Sequence, residues 1–182
     1  IVDVRRASSG TIDQGIALAR VFVPQGTLTI REQKGGARET IAAGTLGDVR
    51  LVTGRYFQDW LLHDSDWNWR LQPDRGGALR AVGDIGSHWM DLMTYVTGQR
   101  IVEVMADLTT FIETRHEPSG PVESFGTERS SDTVARPIAT EDTAAILLRF
   151  EGGARGAVSI SQISPGRKNS LQYEIDGSEA AL

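Results

Sequence analysis

The sequence predicts one α+β domain, built as a predominantly antiparallel open sheet with helices packed on one face. Residues 101–112 alternate between two sets of side chains, which is typical of a strand. Residues 142–150 and 154–163 flank a Glu-Gly-Gly turn and have the pattern of a β-hairpin. An amphipathic helix is predicted from Asp84 to a glycine cap at Gly98. A chain of 182 residues is long enough for one sizeable domain of this kind.

The composition is that of an ordinary globular protein, with 40% hydrophobic and 24% charged residues. A net charge of −5 argues against nonspecific binding to nucleic acid or to an anionic membrane, because phosphate groups would repel the protein. The absence of cysteine excludes disulfides, thiolate metal sites and cysteine nucleophiles. No apolar run approaches the roughly 18 residues that span a bilayer, and no signal-peptide pattern opens the sequence, so we expect a cytoplasmic protein.

The domain is placed at residues 34–182, and residues 1–33 are an uncertain lead-in segment. Residues 27–30 are predicted to be extended because β-branched side chains dominate them. Residues 38–43 have a helical pattern that ends at Gly44, where a left-handed C-terminal cap is expected. Since the first residue is not methionine, we expect a processed protein or a fragment of a longer one.

The rest of the chain is predicted to supply strands and the loops between them. Residues 49–60 form a long strand, and residues 63–70 form a loop that its tryptophans pack against the sheet. Residues 115–140 are expected to be a long exposed loop, because they are rich in Pro, Ser, Gly and charge. A turn at 164–167 leads into a strand at 170–175. The sequence then stops without a natural finish, so we expect the domain to be cut before its final strands.

Polar residues at the start of the predicted helix are the main candidates for chemistry. Successive helical residues turn by about 100°, so Asp84, His88 and Asp91 are expected on one side. A carboxylate one turn from an imidazole holds its tautomer and raises its proton affinity, which suits removal of a hydroxyl proton. The alternative is that Asp84 is the helix N-cap and His88 an ordinary packed residue, and spacing alone favours this second interpretation.

A divalent metal site is a third interpretation of the same side chains, since carboxylates and imidazoles are common ligands. Three ligands at these steps on one helix rarely converge on one ion. The other histidines, His63 and His116, fall in predicted loops. We therefore predict no metal site.

The polar and aromatic loop before the helix is a candidate for binding a sugar or polyol. Asn68, Trp69 and Arg70 combine a stacking surface with planar hydrogen-bonding groups. The alternative, at least as well supported, is that the tryptophans cover the edge of the sheet. Arg167 and Asn169 lie in the last turn and are expected to face water instead.

Nucleotide-binding motifs are missing from the sequence. No G-x-G-x-x-G follows a strand, and no phosphate-cradling P-loop is present. The run Gly44-Thr45-Leu46-Gly47 follows a predicted helix instead of starting one. We therefore expect this chain to bind no nucleotide cofactor by itself.

From Gly44 to Leu182 the sequence resembles the C-terminal domain of the Gfo/Idh/MocA oxidoreductases, the group of glucose-fructose oxidoreductase and inositol dehydrogenase. The resemblance covers about three quarters of the chain. It rests on the motifs Ala43-Gly44-Thr45-Leu46-Gly47-Asp48-Val49, Tyr56-Phe57-Gln58-Asp59-Trp60, Asp66-Trp67-Asn68-Trp69-Arg70, Gly76-Gly77, Asp84-Ile85-Gly86-Ser87-His88, Glu141-Asp142-Thr143 and Ser164-Pro165-Gly166-Arg167.

The resemblance implies a function that the residues alone leave open. In that family an N-terminal Rossmann domain binds NAD or NADP, and an Asp-x-x-x-His pair acts beside a lysine of a Glu-Lys-Pro motif. By the match, His88 would accept a proton from a substrate hydroxyl with Asp84 as its partner, and the sheet face would form a homo-oligomer. The Rossmann fingerprint and the lysine have no counterpart here. We therefore expect the substrate-binding and oligomerisation domain of a sugar or polyol dehydrogenase; the alternative is a non-catalytic sheet domain for assembly or sugar binding.

Overall fold

The computed structural model describes residues 27–32, 38–42, 46–120 and 132–182. The lead-in before residue 27 and the predicted cap at Gly44 lie outside these ranges. The chain divides into two compact units, one of Ile1–Val49 with Asp176–Leu182 and the other of Arg50–Ile175. Within the described ranges, no helix is long and apolar enough to cross a membrane.

The first described elements form an antiparallel hairpin of β1 (Thr27–Glu32) and β2 (Arg38–Ala42). The extended conformation predicted for residues 27–30 is confirmed, whereas the helix predicted for residues 38–43 is wrong. A helix this short is marginal in water, while pairing with β1 satisfies the backbone of β2 at once. The pairing therefore outweighs the local pattern.

The remaining strands are β3 (Val49–Phe57), β4 (Ile101–Thr109), β5 (Thr114–Pro118), β6 (Thr133–Pro137), β7 (Thr143–Phe150), β8 (Arg155–Ser161) and β9 (Ser170–Gly177). Five of them form the main sheet, in the order β4-β7-β8-β3-β9. The pairs β4–β7 and β7–β8 are antiparallel, and β3–β8 is parallel. The predicted α+β class with mainly antiparallel strands is confirmed. The parallel pair was not predicted, because alternation along a strand carries no information about its partner's direction.

The helical elements lie between β3 and β4. They are a 3₁₀ turn (Trp69–Leu71), α1 (Pro73–Gly76), a π-turn (Val82–Gly86) and α2 (Ser87–Thr97). Gly98 follows α2 with a φ of 67°, which confirms the predicted glycine cap, since only glycine adopts this angle without strain.

The core lies between α2 and one face of the main sheet. Trp89 and Met93 of α2 are fully buried, as are alternate residues of β7 such as Ile146 and Leu148. The indole Nε1 of Trp89 donates a hydrogen bond of 3.0 Å to the backbone oxygen of Gln172. This contact brings the ring so close to β3 that only a glycine fits beneath it, at Gly54.

A second hairpin joins β5 and β6 within the stretch predicted as a loop. The register pairs Thr114 with Pro137 and Pro118 with Thr133. The loop prediction for 115–140 is therefore wrong at these two strands, and residues 121–131 lie outside the described ranges. The prediction missed these strands because proline and charged residues do not give the alternation that is typical of a half-buried strand.

We predict that Gly54→Ala destabilises the domain by about 1–3 kcal/mol, the usual cost of overpacking a filled core. A Cβ at this position would lie 2.8 Å from Nε1 of Trp89 and would also collide with the backbone oxygen of Gln172. Urea unfolding followed by tryptophan fluorescence measures the change. Gly83→Ala is the matched control, because its nearest neighbour would be 3.6 Å away. Equal unfolding midpoints for the two variants would contradict this packing.

Candidate active site

A buried carboxylate, Asp142, lies at the centre of the polar network beneath the helix start. The guanidinium groups of Arg80 and Arg115 both donate to its Oδ1, the latter at 3.0 Å, and all three side chains are fully buried. Its Oδ2 accepts from the backbone N–H groups of Phe111 and Ile112 at 2.7 and 2.8 Å. The cluster thus ties β7 to the segment before α2 and to the segment after β4.

Arg115 extends this cluster into the loop after β3. Its guanidinium donates to the backbone oxygens of His63, at 2.7 Å, and Leu61, at 2.8 Å. One cation therefore adds to the few turn hydrogen bonds of this loop, such as that from the N–H of Asp66 to the oxygen of His63. This fixes the end of β3 relative to the 3₁₀ turn that follows.

The neighbouring Glu141 caps the start of the helical segment from a distant part of the chain. Its carboxylate accepts from the backbone N–H of Arg80, at 2.9 and 3.0 Å, and of Val82, at 2.8 Å. These are donors that a helix start leaves without partners. Because a buried carboxylate already occupies them, this helix start cannot bind a phosphate.

Asp84 lies in the π-turn, and its carboxylate points to two partners outside the helix. Oδ1 accepts from Nε of Arg70 at 3.0 Å, and Oδ2 accepts from Nε2 of Gln162 at 2.8 Å. The interpretation of Asp84 as the helix N-cap is wrong. Helical structure begins upstream, and the backbone N–H of Asp84 already donates to the backbone oxygen of Arg80 at 2.7 Å. Its side chain is therefore free for the ion pair with Arg70.

His88 and Asp91 are exposed on α2, one and two turns beyond Asp84. The structure has no hydrogen bond or ion pair between Asp84 and His88. A π-turn inserts an extra residue into the helical repeat, which shifts Asp84 relative to the side that regular spacing predicts. Among the residues that the structure describes, no group of three or more acidic and histidine side chains is arranged to hold a metal ion.

The predicted substrate-binding residues Asn68, Trp69 and Arg70 occupy the 3₁₀ turn beside Asp84. Asn68 is buried, and its Oδ1 accepts from the backbone N–H of Arg70 at 3.1 Å, which caps the turn. The guanidinium carbon of Arg70 lies 4.5 Å from the ring centre of Trp69 and 5.9 Å from that of Trp60. Trp69 itself stays 38% exposed. The turn thus presents an accessible indole next to an ion pair.

A row of hydrogen-bonded polar groups continues from Trp60 along the helix-facing side of β3. Nε1 of Trp60 donates to Oε1 of Gln58 at 2.7 Å. Nε2 of Gln58 and the hydroxyl of Tyr56 then donate to Oδ1 of Asn169, at 2.9 and 2.7 Å. Burial and, to a smaller degree, the negative charge of Asp84 raise the pKa of the Tyr56 hydroxyl, although its bond to Asn169 lowers it. This phenol therefore stays neutral at physiological pH.

Sequence reasoning found Asp84, His88 and the 3₁₀ turn but missed much of their support. It placed Asn169 in water, whereas Asn169 is exposed yet bonded to two side chains of the β3 segment. Arg115 fell in a predicted loop, and Gln162 carried no signal at all. Glu141, Asp142, Tyr56, Gln58 and Trp60 had been singled out only as parts of family motifs, without a role.

The described residues do not fit a dinucleotide. A pyrophosphate needs free backbone N–H groups at a helix start, and those of Arg80 and Val82 are taken by Glu141. Sheet β3–β8 offers no glycine-rich turn into a helix in their place. This helix start therefore offers no free N–H groups of Arg80 or Val82 for the pyrophosphate of NAD(P).

Comparison with known proteins identifies the class of domain to which this fold belongs. A model of the GFO/IDH/MocA C-terminal domain matches residues 36–182. Levoglucosan dehydrogenase of Pseudarthrobacter phenanthrenivorans is 33% identical over 147 residues, which are 80% of this chain and 37% of that protein. The chain belongs to the Gfo/Idh/MocA oxidoreductase family, and the resemblance noted in the sequence is confirmed.

Two solved structures are similar to the described fold. An oxidoreductase domain protein from Kribbella flavida has 36% identity and a TM-score of 0.65, with 76% of this chain and 35% of that chain covered. Levoglucosan dehydrogenase in complex with NADH and L-sorbose has 30% identity and a TM-score of 0.62, with 76% and 34% covered. The chain thus spans about a third of the length of the relatives it matches, and one of these relatives binds NADH.

We predict that Asp142→Asn lowers the free energy of unfolding by about 3 kcal/mol or more at neutral pH, because two buried guanidinium groups lose their counter-charge. Burial raises the pKa of Asp142, but the N–H of Ile112 and the guanidinium groups of Arg80 and Arg115 outweigh it and hold that pKa below its ordinary 3.8. The stability from the ionised carboxylate is thus complete above the ordinary value and is lost as the pH falls through the lowered one.

Urea titrations of wild type and Asp142→Asn between pH 7 and pH 2 measure this dependence. The difference between the two proteins should be constant down to about pH 4 and should shrink below it. Asp91→Asn, an exposed carboxylate on α2, is the control and should change stability by less than about 0.5 kcal/mol. A difference that grows as the pH falls would contradict a lowered pKa for Asp142.

Proposed function

We propose that this domain forms the substrate-facing side of the active site of an NAD(P)-dependent dehydrogenase that oxidises a hydroxyl of a sugar or polyol. The observation that carries the proposal is the carboxylate of Asp84, held by Arg70 and Gln162 one helical turn before the exposed imidazole of His88. Family membership and the name levoglucosan dehydrogenase of a 33% identical relative support the substrate class. The cofactor is assigned to a nucleotide-binding domain outside this chain.

In this proposal, the residues of this chain remove the proton from the substrate hydroxyl. His88 is the acceptor for the hydroxyl proton, because an imidazole is a base suited to neutral pH and this one is accessible from solvent. The carboxylate of Asp84 is held in place by the charge-assisted bond from Arg70, and Asp84 is the proposed partner of His88 in this step. Asp84 and His88 are thus the proposed catalytic residues.

The 3₁₀ turn is the proposed first part of the substrate site. Trp69 offers an exposed aromatic surface for the apolar face of a sugar ring. Arg70 offers guanidinium N–H groups beyond the one used by Asp84. Asn68 acts through Arg70, because its buried carboxamide caps the turn that carries both neighbours.

The second proposed role is assembly of a homo-oligomer through the sheet face that points away from α2. One row across this face, given by the strand register, is Met105, Leu147, Ala157 and Thr53. Met105 is 71% exposed and Leu147 is 55% exposed, so the row presents apolar surface to solvent. A domain that only assembles or binds sugar is the alternative, and it predicts association without turnover.

We predict that His88→Asn in the full-length protein lowers turnover of a sugar or polyol by about 100-fold or more, the usual cost of losing a general base. Steady-state NAD(P)H formation measures it, with circular dichroism to check the fold. Asp91→Asn, also an exposed side chain of α2, should leave turnover within about twofold. Equal turnover of wild type and His88→Asn would overturn the catalytic role.

We predict that Leu147→Glu shifts the protein from dimer to monomer, because a buried unpaired charge is costly in an interface. Light scattering coupled to size exclusion measures the mass at micromolar concentration. Leu79→Glu changes an exposed leucine that lies outside the sheet and should leave the dimer intact. A monomeric wild type, or a dimeric Leu147→Glu, would contradict assembly through this face.

A further inference from the structure

The hydrogen-bonded row of Trp60, Gln58, Asn169 and Tyr56 has donors and acceptors in fixed positions, because the indole of Trp60 can only donate. The Nε1–H of Trp60 is a donor only, so the group 2.7 Å from it on Gln58 must be the amide oxygen. The amide nitrogen of Gln58 therefore points to Asn169, at 2.9 Å. Asn169 in turn must present its oxygen to Gln58, since two amide nitrogens cannot bond to each other.

This chain of hydrogen bonds from Trp60 through Gln58 to Asn169, the relay, determines which side-chain group of Asn169 faces solvent. Its Oδ1 accepts from Gln58 and from the Tyr56 hydroxyl, so its Nδ2 amino group, with two N–H donors, faces outward. Within the part of the chain that the structure describes, no group accepts from this nitrogen. Having donated its proton, the Tyr56 oxygen keeps lone pairs that accept. The surface thus places two donors beside an acceptor.

The turn that carries Asn169 is anchored to the end of β3. The backbone N–H of Ser164 donates to the backbone oxygen of Gln58 at 2.9 Å, and Nζ of Lys168 lies 3.1 Å from Oδ2 of Asp59. The side-chain bonds of Asn169 add to these contacts. Its amino group is therefore held in one place before any ligand arrives, which lowers the entropic cost of binding.

The same indole connects this row to the proposed catalytic carboxylate. The ring of Trp60 also lies 5.9 Å from the guanidinium carbon of Arg70, which holds Asp84. The negative charge of Asp84 also contributes, as the smallest of three causes, to the raised pKa of the Tyr56 hydroxyl. The donor–acceptor surface of Asn169 and Tyr56 and the carboxylate thus belong to one site.

We propose that Asn169 is a specificity-determining residue whose Nδ2 amino group donates to one hydroxyl oxygen of the sugar or polyol, while Tyr56 accepts from a hydroxyl of the same ligand. A sugar hydroxyl is donor and acceptor at once, so a fixed donor beside a fixed acceptor matches a pair of neighbouring hydroxyls. This inference rests on the proposed function and names the residue that selects among its substrates.

The test uses steady-state kinetics of the full-length protein with levoglucosan and its monodeoxy derivatives. Asn169→Ala should raise the KM for levoglucosan about five- to tenfold and leave kcat within about twofold, the effect of one neutral hydrogen bond. For the derivative that lacks the contacted hydroxyl, wild type and Asn169→Ala should have equal KM values. Arg167→Gln, an exposed residue of the same turn, is the control and should leave KM unchanged.

Trp60→Phe tests the relay separately, because it keeps an aromatic ring near Arg70 and removes the indole N–H together with one of the two fused rings. It should raise KM in the wild-type background and have no effect in the Asn169→Ala background. An unchanged KM for Asn169→Ala, or the same rise for every derivative, would overturn the role of Asn169 while the proposed function stands. A full-length protein that oxidises neither levoglucosan nor any sugar or polyol of a panel would overturn the proposed function itself.

Discussion

The structure depends on one buried carboxylate that holds two arginines. Moving Asp142 out of water costs several kcal/mol by itself, and the cost is offset because four donors converge on its two oxygens. Those donors come from segments far apart in the sequence: the segment before α2, the segment after β4 and, through Arg115, the hairpin of β5 and β6. The loop after β3 joins through carbonyl groups that Arg115 satisfies. Without these contacts to Asp142, the segments that form the site would not be held in fixed positions relative to one another.

The neighbouring Glu141 gives this arrangement a functional consequence. By accepting from Arg80 and Val82, it fixes where the helical segment begins, and so where Asp84 and His88 lie along it. The same contact fills the only kind of position at which a helix start binds phosphate. In the proposed function the nucleotide is therefore held outside this chain, and the relatives that the chain matches are about three times as long as the matched stretch.

Local patterns predicted the elements that depend on local physics. A few neighbouring residues are enough to predict three features: the helix cap at Gly98, the hairpin of β7 and β8, and the alternation of β4. The strands β2, β5 and β6 were missed, because their pairing partners, not their own composition, make them strands. The π-turn at Asp84 was also missed, because the residues of 82–86 follow the same local pattern as a regular helix.

For the candidate site the division is similar. The spacing of Asp84 and His88 allowed an acid/base pair as one interpretation among several. The resemblance to the family then implied their roles. Only the structure shows that Arg70 and Gln162 are the partners of Asp84. The same is true of the hydrogen bonds that lead from Trp60 to Asn169. Single polar residues in strands and turns look solvent-exposed in a sequence, because nothing local records which side chains the fold brings within 3 Å.

A crystal structure of the full-length protein with NAD(P)H and a bound sugar would test whether His88 faces the reacting hydroxyl. We expect an imidazole nitrogen of His88 within about 2.6–3.2 Å of a sugar hydroxyl, the reach of a general base. We also expect Asp84 to remain bonded to Arg70 and Gln162 in that complex. A sugar bound elsewhere, with His88 turned to solvent, would contradict the proposed role of His88.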